Sequence, residues 1–431
     1  MFIPPEVQFL VGSFEITPLR GFSIFLCVFL LLNKAIRWAW PDTLMFITFI
    51  LGLVSFSSGQ LSHVGPALEA QGRSFVDLGT AWLVGRYLAE GFHRLRAALT
   101  LLVTTMSVFA PLLLLECLFQ FNLHEAFWGA FAPVQGLYDE QRLGIYRAMG
   151  WTSHPIMLGI AYTMVLPIAL YAALYDRQFL GPAPGLKALL IAMGIFLSLS
   201  SGAWTAGLIV VALVLWERYF PRPMNFKWGL IFIGGPLLYY SADLLSGRPL
   251  MRILMMKMHI SSPTAWFYRW QLRERVLDEM PGHWWWGHGL DLPAAFTGPF
   301  GWSIDNNYLS VMFYAGIVGL AGWIALQLAA VFCGWRDVWL RDHGRGPLLA
   351  RHLGFGVVAL MLAQYSVALF STGNLLLWLM LGMTTGVALT LNPERRGMTC
   401  RMLGHRCGLG RRIDRFIHNP KRPQLQPENP Q

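Results

Sequence analysis

Apolar stretches long enough to cross a bilayer recur along nearly the whole chain, and no other feature constrains its fold so strongly. They cover residues 16–33, 42–58, 74–91, 97–119, 154–175, 186–201, 203–217, 227–243, 306–333, 352–370 and 374–391, eleven in all. A helical crossing takes about 20 apolar residues, and backbone in lipid must satisfy its own hydrogen bonds. The expected fold is an all-α polytopic transmembrane helical bundle of about 11–12 spans. Composition agrees, with 55% of residues hydrophobic and 13% charged, against roughly 25% charged in a soluble domain. That balance excludes a water-soluble globule. Several of the eighteen Trp lie at the ends of apolar runs, where their amphipathic rings suit the interface. Met1-Phe2-Ile3-Pro4-Pro5 carries no basic region, so no cleavable signal peptide is expected.

Basic residues orient such a bundle. Arg395, Arg396, Arg401, Arg406, Arg411, Arg412, Arg415, Lys421 and Arg422 place the tail in the cytoplasm. Counting back, every alternate connection is basic: Arg336, Arg341, Arg345 and Arg351, then Arg218, Arg222 and Lys227, then Arg177 and Lys187, then Arg94 and Arg96, then Lys34 and Arg37. The same count sends 59–73, 120–153 and 244–305 outside, with the N-terminus, unless 4–15 form a twelfth segment. Four regions follow: an N-terminal transmembrane bundle, 1–243; an outer loop with amphipathic helices, 244–305; C-terminal transmembrane helices, 306–391; and a basic tail, 392–431. The tail from Asn419 is rich in Pro and Gln and is expected to be disordered. No internal repeat is visible, which weakens a transporter built from matching halves. The five Cys imply no disulfide framework, and the Cys400, His405, Cys407 spacing fits no zinc pattern well.

Outer loops should be poor in Arg and Lys, yet one holds Arg142 and Arg147 and the next holds Arg248, Arg252, Lys257, Arg269, Arg273 and Arg275. Long loops translocate regardless of charge, so Arg248, Arg252, Lys257 and Arg275 read as a solvated surface. Thr264 to Met280 reads as a helix, starting after Ser261-Ser262-Pro263 and stopping at Pro281-Gly282. Trp266, Trp270, Leu277 and Met280 form its apolar stripe. Arg269 and Arg273 are one turn apart, where like charges repel by a few tenths of a kcal/mol. A bound anion reverses that repulsion, and guanidinium forks match phosphate oxygens in pairs. A diphosphate at the bilayer surface is the simplest ligand.

Ser153 is a candidate cap for the span that begins near Pro155, so Arg147 and His154 lie near a helix N-terminus, where anions are favoured. His154 is a structural hydrogen-bonder or a catalyst. Asp305, at the next boundary, is a helix cap or a working carboxylate, and both roles select the same residue type. His283-Trp284-Trp285-Trp286-Gly287-His288-Gly289 reads as an interface belt, with its two His weak evidence for a metal. Asp77, Arg86 and Glu116 lie within spans; structural pairing is expected, and Arg86 and Glu116 are near enough to span ends to snorkel.

Taken in order, Leu19-Arg20, Arg147 through Gly159, Leu199-Ser200-Ser201-Gly202-Ala203-Trp204, the Arg269 helix, Pro281 through Gly289 and Asp305-Asn306-Asn307-Tyr308-Leu309 resemble the motifs of the O-antigen ligase and polymerase superfamily, closest to bacterial exopolysaccharide polymerases. The resemblance covers most of residues 16–391. It implies a GT-C-like, inverting, metal-independent glycosyltransferase of the bacterial inner membrane, needing no cofactor, with a periplasmic loop. Its donor would be a glycan on undecaprenyl diphosphate and its acceptor a glycan hydroxyl. The bilayer, a chain-length regulator and export proteins are candidate partners, and no nucleic acid is expected. Arg269 matches the loop arginine, Arg147 lies in the motif before His154, and Asp305 stands where ligases carry His before Asn-x-Tyr-Leu. Asn306 and Tyr308 would support the site. Two differences stand out. Members often carry Ser-Arg-Gly where this chain has Ser200-Ser201-Gly202, leaving Arg147 or Arg273 to replace that Arg, and Arg273 occupies a usual Trp position.

The expected function is therefore polymerisation of lipid-linked repeats, with Arg269, Arg273 and Arg147 on the diphosphate and Asp305 or His154 as general base. A ligase transferring finished glycan to lipid A core or protein is the alternative within the class. A lipid-linked sugar flippase is the alternative outside it, and would concentrate charge within spans.

Overall fold

In the computed structural model the described residues run from Phe9 to Thr390, apart from 58–63, 127–140, 245–262, 297–303, 341–344 and shorter stretches. Seven helices are long and apolar enough to cross a membrane: Trp40–Ser57, Phe92–Phe119, Pro155–Leu174, Ser201–Tyr219, Asn307–Trp335, Gly346–Ala363 and Gly373–Thr390. Arg20–Leu32 and Pro184–Leu197 are apolar but shorter. The protein is an all-α polytopic membrane bundle.

A short hairpin of β1 (Phe9–Val11) and β2 (Phe14–Ile16) leads into α1 (Pro18–Leu32), α2 (Trp40–Ser57) and α3 (Val64–Ser74). A π-helical turn, Phe75–Gly79, joins α3 to α4 (Thr80–Ala89), and α5 (Phe92–Phe119) follows. Next come a hairpin of β3 (Gln141–Arg142) and β4 (Ile145–Tyr146), then α6 (Pro155–Leu174), α7 (Pro184–Leu197) and α8 (Ser201–Tyr219). The chain continues through α9 (Met224–Gly229), α10 (Pro263–Glu279), α11 (Asn307–Leu340), α12 (Arg345–Ala363) and α13 (Thr372–Thr390). Helix α6 is apolar on every side and almost wholly buried, as a helix without a polar face must be. It packs against α5, α7, α8 and α12 at the centre of the bundle.

Residues 59–73, expected as an outer loop, are instead helical from Val64 onward. The segment is too polar to read as a span, but Ala67 is buried, α3 packs on α2, and Arg73 pairs with Glu69 one turn away. That amphipathic packing, with the i,i+4 pair, supports a helix without high hydropathy.

The polar groups within spans are held by other protein groups. Arg86 does not snorkel: it is 1% exposed, and its Nε and Nη2 bond Asp42 Oδ1 and Oδ2 at 2.8 and 3.1 Å. Asp77, on the π-helical turn, receives Arg20 Nε at 3.1 Å. Glu116 is fully buried and accepts backbone N–H groups rather than a snorkelling contact. A charge in lipid costs about 3 kcal/mol or more, so such partners are required.

The apolar run at 306–333 reads as one straight span, but α11 breaks at Gly316, where φ is 65° and ψ is −171°. A straight helix would separate Asn307 from Trp323 by about 24 Å. Yet Asn307 Nδ2 and Trp323 Nε1 both donate to Gln364 Oε1 at 2.8 Å. The first part of α11 is thus an arm folded back over the longer part. The turn after α10 supplies the bonds the break removes: His288 and Gly289 donate to Phe313 and Tyr314 carbonyls at 2.9 and 3.0 Å, and Ile317 and Val318 donate to Trp284 and Trp285 carbonyls at 2.8 and 3.3 Å. Buried backbone groups must be answered in this way.

Helix α10 lies against that arm. Its docked stripe is Leu272, Val276 and Met280, packed with Ile304 and Phe313. Of the stripe expected from helical spacing, Met280 is buried here, Leu277 is only half-buried, and the Trp266 and Trp270 side chains lie outside the described residues. The face was chosen by the complementary surface of α11, which hydrophobic spacing on α10 alone does not reveal. Arg269, three residues before Leu272 and seven before Val276, shares the docked side.

Candidate functional site

The site is assembled at the end of the bundle where α5, α7 and α12 finish and α6, α8, α11 and α13 begin. A turn with Leu143 at φ 55° and Gly144 at φ 78° joins β3 to β4, two successive left-handed residues as tight hairpins require. It aims Arg142 at the end of α7, where Nη1 donates to Leu199 O at 3.0 Å. Buried Arg147 donates through Nε to Ser198 O at 3.3 Å, and Ala148 N donates to Leu197 O at 3.1 Å. Carbonyls at a helix C-terminus have no partner within the helix and attract cations. Beneath the loop, Glu116 accepts Met149 N at 3.0 Å and Gly150 N at 3.0 Å.

His154 caps α6: its Nδ1 accepts Ile156 N–H at 3.1 Å, and Pro155 takes the first helical position. Ser153, the expected cap, lies outside the described residues. A ring accepting at Nδ1 is neutral with its proton on Nε2, so Nε2 donates.

Asp305 is not the cap of α11. Asn306 takes that place, its Oδ1 accepting Leu309 N at 3.0 Å while Nδ2 donates to Tyr365 O at 2.6 Å. Tyr308 OH donates to Met361 O at 2.7 Å. Asp305 is half-buried, and its carboxylate acts on Arg269.

Burial is the main influence on the Arg269 guanidinium and lowers its pKa; nearby Arg142 lowers it further, and Asp305 opposes both. Arginine stays charged under such shifts. Arg269 Nε is buried with no hydrogen-bond partner among the described residues. Asp305 and Arg142 are thus both in electrostatic range of Arg269, and Arg147 bonds the same α7 terminus as Arg142. Arg273 is exposed on the neighbouring face of α10. A largely desolvated guanidinium with one further cation and one carboxylate in electrostatic range can hold a multiply charged anion next to a proton acceptor.

No protein-family model matches the chain. No curated protein matches it either.

Arg142 is the site residue that sequence reasoning passed over. Its only signal was a positive charge in an outer loop; its reach to Leu199 and Arg269 depends on the hairpin turn. It arrives next to Ser200-Ser201-Gly202, the position where a further arginine was expected.

The turn beneath the site contains His283 and His288, whose rings stack at 4.2 Å, and His288 Nε2 meets Glu279 O at 3.0 Å. Among the described residues no cluster of three or more His, Cys, Asp or Glu could hold a metal. Burial, followed by the neighbouring His283, pushes the His288 pKa down. Below the ordinary histidine value of about 6.5 the unfolded segment takes up a proton that the docked turn resists. Docking is therefore complete above that value and weakens as pH falls through it. Hydrogen exchange at Ile317 and Val318, corrected for intrinsic rate, should rise between pH 7.5 and pH 5.5 as roughly described by that linkage. His288→Gln should remove the rise; an identical rise in the variant would rule out His288 as its source.

Proposed function

We propose that the chain is a polysaccharide polymerase of the multi-span glycosyltransferase type, joining glycan repeats carried on undecaprenyl diphosphate. The observation that carries this reading is a buried Arg269 Nε with no partner among the described residues, on a helix packed against the segment that carries Asp305, with Asp305 and Arg142 both in electrostatic range. A lipid diphosphate presents its charge at that level of a membrane, and it suits both paired guanidinium groups and an adjacent base. In this reading Arg269 and Arg142 bind the diphosphate, with Arg147 supporting the Arg142 side. Arg142 stands in for the arginine absent at Ser201, and exposed Arg273 has a peripheral part.

The acceptor hydroxyl attacks the anomeric carbon from the face opposite the diphosphate. The new C–O bond forms as the bond to the phosphate oxygen breaks, inverting the centre, and the hydroxyl proton passes to Asp305. The guanidinium groups stabilise the charge that builds on the departing diphosphate. His154, donating through Nε2, is suited to orient a substrate oxygen rather than to take a proton. Asn306 and Tyr308 hold the Asp305 segment in place. Catalysis by these groups requires no metal or cofactor.

The outer face of the bacterial inner membrane is the proposed location, with the α10 loop periplasmic and the C-terminus cytoplasmic. Basic connections support it: Arg37, Arg94, Arg96, Arg177, Lys187, Arg218 and Lys227 all adjoin helix ends opposite the Asp305 end.

Asp305→Asn should lower polymer formation about 10²- to 10⁴-fold, the usual range for losing a general base, without changing the amount of protein in the membrane. The check is the size distribution of undecaprenyl-linked glycans. Accumulated single repeats support a polymerase; accumulated long lipid-linked chains would indicate a ligase, and transport of donor without bond formation a flippase.

A further inference from the structure

We propose that Gln364 is a positioning residue: its side-chain amide holds the two parts of α11 at the angle that places the Asp305 arm, with Arg269 docked on it, against Arg142. The assignment rests on the reading of these residues as the catalytic site.

Gln364 Oε1 accepts from Asn307 Nδ2 on the arm and from Trp323 Nε1 on the longer part of α11, each at 2.8 Å. Its Nε2 donates to Gln327 Oε1 at 2.6 Å. Gln364 and Gln327 are 0% exposed, and Asn307 and Trp323 are buried. The main chain repeats the fastening, with Asn307 N donating to Gln364 O at 2.9 Å and Leu369 N to Asn307 Oδ1 at 3.2 Å. Asp305 is two residues from Asn307, and α10 packs on the arm through Leu272, Val276 and Met280. Arg142 belongs instead to the α7 side of the bundle. One carbonyl oxygen thus joins the two parts of a broken helix, and a buried polar network that is fully answered specifies a single geometry.

The test uses the full-length protein in lipid nanodiscs with its native cysteines replaced. Spin labels at Leu143→Cys, in the β3–β4 turn, and Asp278→Cys, on the exposed face of α10, report the distance between the two sides. Gln364→Met leaves two buried donors without their acceptor and should shift or broaden that distance. Gln364→Glu, whose protonated carboxyl keeps the oxygen acceptor and can donate to Gln327, should retain the parent distribution. Trp323→Phe, which removes one of the two bonds, is the milder variant should Gln364→Met fail to accumulate, and should shift the distance in the same direction. In polymerisation assays the Met variant should lose kcat by roughly 10²-fold, as misplaced reacting groups do, with donor KM changed far less and kcat recovered by Glu. An unchanged distance in the Met variant, or equal shifts in Met and Glu, overturns the role of Gln364. A parent protein that shifts its distance on substitution yet makes no polymer overturns the glycosyltransferase reading and leaves the positioning role standing.

Discussion

Arg269→Ala should reduce polymer formation about 10²- to 10³-fold, or roughly 3–4 kcal/mol of transition-state stabilisation, with membrane content unchanged. The guanidinium is desolvated on the docked side of α10, where its charge acts through little water. Replacing it removes a costly buried charge, so the fold does not suffer in proportion. Arg269→Lys should restore only part of the activity, because a point charge lacks the fork that meets two phosphate oxygens. Arg142→Ala should cost less than Arg269→Ala in catalysis and more in stability, since Arg142 also answers Leu199 O. Both arginines act on one diphosphate in this reading, so their double variant should fall short of the sum. Reconstituted protein with a lipid-linked donor, resolved by product length, measures all four variants. Normal polymer from Arg269→Ala would remove the proposed donor site.

Gly316→Ala should destabilise the Asp305 end of the bundle more than any other single methyl there. The backbone at φ 65° and ψ −171° occupies a region that is essentially open to glycine alone, costing other residues about 1–3 kcal/mol. A Cβ there would lie 2.2 Å from Trp285 O and 2.5 Å from Trp286 N. Relieving such a clash costs about 1–3 kcal/mol more. Gly287 faces the same contact from the opposite side, its Cβ position 2.6 Å from Tyr314 O. The expected outcome is a lower unfolding temperature and rapid hydrogen exchange at Ile317 and Val318. Gly322→Ala is the control, because its nearest contact would be an ordinary 3.5 Å. Matching melting curves for Gly316→Ala and Gly322→Ala would contradict the broken helix.

Much of the scaffold was legible in residue order. The apolar run at 154–175 became Pro155–Leu174 and that at 97–119 became Phe92–Phe119, because lipid admits few backbone solutions. The helix read from Thr264 to Met280 is Pro263–Glu279, its limits set by proline chemistry that acts locally. The polar helix α3 escaped notice because its amphipathic packing against α2 leaves only weak hydropathy. The break at Gly316 escaped too: a glycine among apolar residues has many meanings, and only the turn at 284–289 gives this one its conformation.

Asp305 shows the same division within the site. Its residue type was equally suited to capping and to proton transfer, and the chemistry of one position cannot separate them. The capping bond from Asn306 removes the capping role from Asp305. Arg142 was visible as an unexplained charge, but its nearness to Arg269 depends on contacts between segments 127 residues apart in the chain.

Residue order by itself determined that this protein is a helical membrane bundle with cations in the connections between its spans, because hydropathy and helix signals are local and lipid leaves little choice. Tertiary structure alone decided which cations lie in electrostatic range of one another, which face of α10 is docked and where α11 folds back. Those outcomes depend on packing between distant segments, whose energies no single stretch of sequence contains.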